Sequence, residues 1–149
     1  MPPGAAKLQI RRARLADAAR IARLSGQLGY PATARQMRAR LKVALADRQA
    51  ACFVAETEEA GVIGWVQLSV TPLLEVERRA EVNGLVVDEA IRSRGAGWAL
   101  LEVAENWAKK KKCTGMSVRS NIIRERAHRF YLQHGYDHYK TQKAFRKAL

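Results

Sequence analysis

Cysteine occurs only twice in the 149 residues, at Cys52 and Cys113. The pair lacks metal-ligand spacing and nearby companions, so neither a disulfide-stapled scaffold nor a zinc module is expected. Two small, unbridged, buried thiols in a reducing cytoplasm are the plain reading. Histidine is almost as scarce. His128, His134 and His138 stand close together but have no acidic or cysteine partners, and no metal site is expected of them. Long hydrophobic runs are missing too: nothing approaches the length that spans a bilayer, and "MPPGAAKLQI" has no signal-peptide core. Membrane partners are therefore not expected. Internal repeats and low-complexity tracts are also absent.

What is present is an ordinary globular composition, 48% apolar and 28% charged, on a chain long enough for one core. Residues 1–6 read as a flexible leader and 7–149 as a single domain. The formal charge of +13 is unevenly spread: residues 1–50 are net +9, residues 51–100 net −4, and residues 101–149 net +8. Such an excess suits a polyanion, either nucleic acid or a phosphorylated cofactor. Solvated helix faces account for many of the individual arginines.

Periodicity orders the chain. "LQIRRA" reads as a strand, and Ile21, Leu24, Ser25 and Leu28 mark one helical face. Gly29 and Pro31 break that helix. Thr33 with Gln36 forms a capping box for a second helix, lined by Met37, Leu41 and Ala44. "ACFVAET" and "GVIGWVQLSV" are strands joined by the turn "EEAG". "RRAEVNGLVV" follows, and its Gly84 marks a bulge or a close backbone approach. A helix with Leu100, Val103, Ala104 and Trp107 on one face comes next and ends in four lysines, which complement its dipole. "GMSVRS" reads as a strand, "RERAHRFYLQH" as a helix stopped by Gly135, and "KTQKAFRK" as a final strand. The order is β-α-α-β-β-β-α-β-α-β, an α/β fold of mixed, mostly antiparallel sheet flanked by helices.

The loop "RSRGAG" (residues 92–97) lies between a strand and a helix. Gly95 and Gly97 let the backbone approach a ligand closely, and the helix start offers unpaired N–H groups with the positive end of a dipole. Arg92 and Arg94 add charge with a geometry suited to phosphate. The pattern is neither a P-loop nor the first turn of a dinucleotide fold.

With the helix, strand and "RFYLQHGY" that follow, this arrangement resembles the GNAT superfamily of N-acetyltransferases over roughly residues 7–147. The resemblance implies that Arg92, Gly95 and Gly97, with Ser93, Arg94, Ala96 and Trp98 between and beside them, bind the pyrophosphate of acetyl-CoA. It implies that Leu85, Val86 and Val87 pair with the pantetheine arm, and that Asn121 hydrogen-bonds it. Tyr131 is implied near the sulfur as the proton donor, and Glu81 as the base, acting directly or through water; a packing tyrosine and a solvated glutamate are the alternatives. The acceptor, an amine, is expected near Tyr30, Glu75 and Glu77. Aminoglycosides, polyamines, amino acids, small amines and protein amino groups all fit that description.

Two other functions stand beside this one. The same fold serves as an acyl-CoA sensor without turnover, and the net charge alone would suit a nucleic-acid binder, although no recognised nucleic-acid motif accompanies it. A cytoplasmic location follows from the expectations above, and a homodimer is left open.

Overall fold

The computed structural model describes residues 7–91, 95–120 and 122–149. They fall into two units, one ending at Val118 and one starting at Arg119. The first unit runs β1 (Gln9–Arg12), a 3-10 turn (Leu15–Asp17), α1 (Ala18–Gln27), α2 (Ala34–Ala46), β2 (Ala50–Thr57), β3 (Gly61–Val70) and β4 (Arg79–Val87). A second 3-10 turn (Glu89–Ile91), α3 (Ala96–Lys110) and β5 (Gly115–Val118) complete it. The second unit holds α4 (Glu125–Gln133). The strands lie in the order β1-β2-β3-β4-β5; the first four are mutually antiparallel, and β5 is parallel to β4.

Local chemistry explains most of these boundaries. The capping box forms as the spacing predicts: Gln36 N donates to Thr33 Oγ1 at 3.0 Å, and Thr33 N donates to Gln36 Oε1 at 3.0 Å. In the β2–β3 turn, Ala60 N donates to Thr57 Oγ1, and Gly61 takes a φ of +68° that a side chain would resist. β2 and β3 carry near-continuous apolar runs because both of their faces are covered. On one face Val66 and Leu68 meet α3, whose Leu100, Leu101 and Ala104 are fully buried. On the other, Val54 and Trp65 pack beneath Ile21 and Leu24 of α1 and Leu41 of α2.

The β1 edge is held by charge. Arg11 donates to both carboxylate oxygens of Asp17 at 2.9 Å, and to both of Glu56 at 3.0 and 3.1 Å. Asp17 also accepts from Arg14 N at 2.7 Å. The hydrogen bonds from Arg11 hold both carboxyls below their usual range, and Arg11 is pushed up in turn.

In the second unit, Ala127, Phe130, Tyr131 and His134 form the half-buried stripe of α4, which ends at Gly135 with φ +86°. The final strand expected at "KTQKAFRK" does not form: residues 134–149 carry neither helix nor strand. Lys140, Lys143, Arg146 and Lys147 give the segment an alternating look, yet Tyr139, Phe145 and Leu149 are all exposed and no apolar face is covered. Alternation without a buried face does not hold a strand.

Candidate active site

β4 is two strands in one. Ala80–Val82 pair with β3 on one side, and Arg79–Val82 pair with Gly115–Val118 of β5 on the other. From Asn83 to Val87 the β3 ladder continues, but among the described residues the β5 ladder has ended. That side of Leu85, Val86 and Val87 offers backbone donors and acceptors to an extended ligand, the geometry of strand addition. The divergence coincides with a bulge. Gln67 opposes Gly84 while Leu68 opposes Val82, which leaves Asn83 as the extra residue. Gly84 is also a close approach: a Cβ there would lie 2.7 Å from the Trp65 ring. Both of the meanings that the sequence offered for Gly84 are realised.

Beyond Val87 the chain turns toward α3. Asp88 is buried; its Oδ1 accepts from Ala90 N at 3.1 Å and from Gln27 Nε2 at 3.4 Å. Gln27 Oε1 accepts in turn from Glu89 N at 3.0 Å, so the end of α1 fixes the junction. Arg92, Ser93 and Arg94 lie outside the described residues. Gly95 caps α3 with φ +76°, a left-handed conformation, and Gly97 sits in the first helical turn. Among the described residues of this loop, the positive φ belongs to Gly95. Ala99 N donates to Gly95 O at 3.0 Å, and the amides of Ala96, Gly97 and Trp98 precede it at the positive end of the helix.

Glu81 sits at the centre of a polar row. Its register partners are Ser69 on β3 and Ser117 on β5, and Asn83 Nδ2 donates to Ser69 Oγ at 2.8 Å. The Ser117 hydroxyl is buried without a hydrogen-bond partner. Along β3, Trp65, Gln67 and Ser69 share the face beneath α1 and α2. A cavity of about 200 Å³ lies there, with Trp65 and Gln67 in its wall. The sequence reading passed over these residues, although polar groups at alternate positions inside an apolar strand were a visible signal. Tyr30 lies just after α1 and is 71% exposed. Glu75 and Glu77 are exposed on the link before β4, where Glu77 accepts from Thr114 Oγ1 at 3.3 Å.

The sequence model of the Acetyltransferase (GNAT) family matches residues 17–136. The chain belongs to the GNAT acetyltransferase family. Among its relatives, the uncharacterized N-acetyltransferase YhfO of Bacillus subtilis (strain 168) is 31% identical over 137 residues, 87% of this chain and 90% of that one. Aminoglycoside N(6')-acetyltransferase type 1 of Klebsiella aerogenes is 28% identical over 105 residues, 68% of this chain and 69% of that one. The solved structure of aminoglycoside N-acetyltransferase AAC(6')-Iy in complex with CoA has a TM-score of 0.86, covering 100% of this chain and 99% of that one at 18% identity. At that identity the likeness speaks for the fold. This GNAT protein is an N-acetyltransferase, and acetyl-CoA is the cosubstrate of its family.

The described residues fit such a cosubstrate. The open side of β4 suits the amide-rich pantetheine arm, and the amides at the start of α3 suit a phosphate. Tyr131 lies on α4 of the second unit, its ring edge-on to Phe130 and Tyr136. Burial pushes its phenol up to about 12, against a smaller opposing influence of Arg124, so it keeps its proton at neutral pH. Asn121 lies outside the described residues. Among the described residues no cluster of His, Cys, Asp and Glu could hold a metal ion, and no helix is long and apolar enough to cross a membrane.

Proposed function

We propose that this protein transfers the acetyl group of acetyl-CoA directly to a primary amine within a ternary complex. The observation that carries this reading is the loss of the β5 ladder beside Asn83–Val87, just after Glu81 and leading into the start of α3. Leu85–Val87 bind the pantetheine arm, while Arg92–Trp98 take the pyrophosphate.

In the reaction an ammonium acceptor first gives a proton to Glu81, directly or through water. The neutral nitrogen then attacks the thioester carbonyl. Glu81 passes its first proton to solvent, the C–N bond forms, the C–S bond breaks, and the second nitrogen proton leaves to the freed carboxylate. Backbone N–H groups at the Gly84 irregularity polarise the carbonyl. The departing thiolate takes its proton from Tyr131, which is regained from solvent. The flanking hydroxyls of Ser69 and Ser117 suit a water held against Glu81.

The test is release of free thiol from acetyl-CoA in the presence of a broad amine panel. Amine-dependent release, with acetylated amine identified by mass, is the expected result. Tight acetyl-CoA binding without release for any amine would favour a sensor instead.

A further inference from the structure

The cavity between α1, α2 and the sheet has a chemistry of its own. Its apolar wall is made by Ile21 of α1 with Met37 and Leu41 of α2, and Ser25, Arg40, Cys52, Trp65 and Gln67 add polar atoms, the Ser25 hydroxyl being committed to Tyr30 O at 2.6 Å. No aspartate or glutamate lines it. The side chains of Arg40, exposed on α2, and of half-buried Gln67 have no hydrogen-bond or ion-pair partner among the described residues. Trp65 is 8% exposed, and its indole N–H is buried with no acceptor. A buried donor left unmatched costs about 1–3 kcal/mol, so it calls for an explanation.

We infer that this cavity seats the acid end of the acceptor, a small primary amine bearing a carboxylate beside an apolar side chain, as a free amino acid does. The inference rests on the acetyl-transfer reading above. Three observations converge on it. The first is charge: Arg40, exposed on α2, is the charged residue of the lining; a guanidinium fork matches a carboxylate, and a polycation would meet repulsion. Second, the unmatched N–H groups of Trp65 and the amide of Gln67 call for an oxygen acceptor, while Ile21, Met37 and Leu41 suit an aliphatic side chain. The third is size, since about 200 Å³ falls below the roughly 300–1,000 Å³ that encloses a drug-sized ligand.

The cavity is also correctly placed for the reaction. Gln67 and Ser69 point to the same face of β3, and Ser69 is the register partner of Glu81. Gln67 and Glu81 thus share that face on either side of the Asn83 bulge. Glu75 and Glu77, read from the sequence as collectors of a cationic acceptor, are not among the cavity-lining residues.

The experiment compares free L-amino acids, their own carboxamides and kanamycin as acceptors, with wild type and Arg40→Gln. Acetyl-CoA affinity is measured alongside by calorimetry. The best amino acid should exceed its carboxamide at least 10-fold in kcat/KM, although the less basic amine of the amide favours the amide intrinsically. In Arg40→Gln that preference should fall by roughly 10–100-fold, mainly through KM for the amino acid, with the carboxamide and acetyl-CoA affinity unchanged. Kanamycin or the carboxamides as the better substrates of wild type would overturn the inference and leave acetyl transfer standing. Equal losses for acid and amide in Arg40→Gln would also overturn it. Failure to bind acetyl-CoA would sink both readings.

Discussion

The two halves of β4 share one backbone and one neighbour, yet they do different work. Ala80–Val82 are closed on both sides by β3 and β5, and Ala80 and Val82 are buried. Asn83–Val87 keep β3 but have lost β5, and a bulge and a glycine mark the change. A sheet edge left open in mid-strand is usually a liability, because its free groups invite another chain. Here it begins just after Glu81 and leads to the amides of α3, so the opening suits a ligand. Substitutions in the closed half should therefore cost stability, and those around the transition should cost turnover.

The largest effect should come at the transition itself. Glu81→Gln is expected to lower kcat by roughly 10²–10⁴-fold and to remove the acidic limb of the pH–rate profile, with Tm and acetyl-CoA affinity retained. A small loss with an unaltered profile would make Glu81 a solvated strand residue. Tyr131→Phe is expected to cut turnover by up to a similar factor while keeping the ring packed against Phe130 and Tyr136. Full activity in that variant would reduce Tyr131 to packing.

In the closed half, Val82→Ala should cost about 2 kcal/mol, from lost burial and an unfilled space opposite Leu68. For a chain of this size that lowers Tm by roughly 4–8 °C, read by thermal melting. Acetyl-CoA affinity should stay as it was. A weakened affinity would erase the distinction between the halves.

The opposite edge of the sheet sharpens the contrast, since β1 is closed by ion pairs. Asp17 and Glu56 have depressed pKa values because Arg11 donates to both. Their contribution is complete above the unfolded carboxylate range near 4 and is lost as pH falls through the lower folded values. Arg11→Met should be the milder of the stability changes at neutral pH, because exposed parts of the pairs are screened. It should flatten the fall in Tm between about pH 5 and pH 2. An unchanged acid limb would mean that the cluster does not hold this edge.

Much of this was legible in the sequence. The helical face of α1, the capping box at Thr33, the β2–β3 turn and the double role of Gly84 each rest on local chemistry, which a sequence carries openly. The glycine loop was legible as the turn into α3, which Gly95 caps in a left-handed conformation. Three things were hidden. The strand read into "KTQKAFRK" looked real because its residues alternate, but alternation does not say whether a face is buried. The links from Arg11 to Glu56 and from Gln27 to Asp88 join residues far apart in the chain, so their pairing is set by the fold. The cavity chemistry of Arg40, Trp65 and Gln67 arises from a helix and a strand that meet only in three dimensions.

The most direct test of the open edge is amide hydrogen exchange across β4, with and without CoA. Amides of Asn83–Val87 that face away from β3 should become strongly protected when CoA binds, together with those of Ala96–Trp98. Amides of Ala80–Val82, already paired on both sides, should change little. Protection spread evenly along β4, or absent from Asn83–Val87, would contradict the assignment of that edge to the cosubstrate.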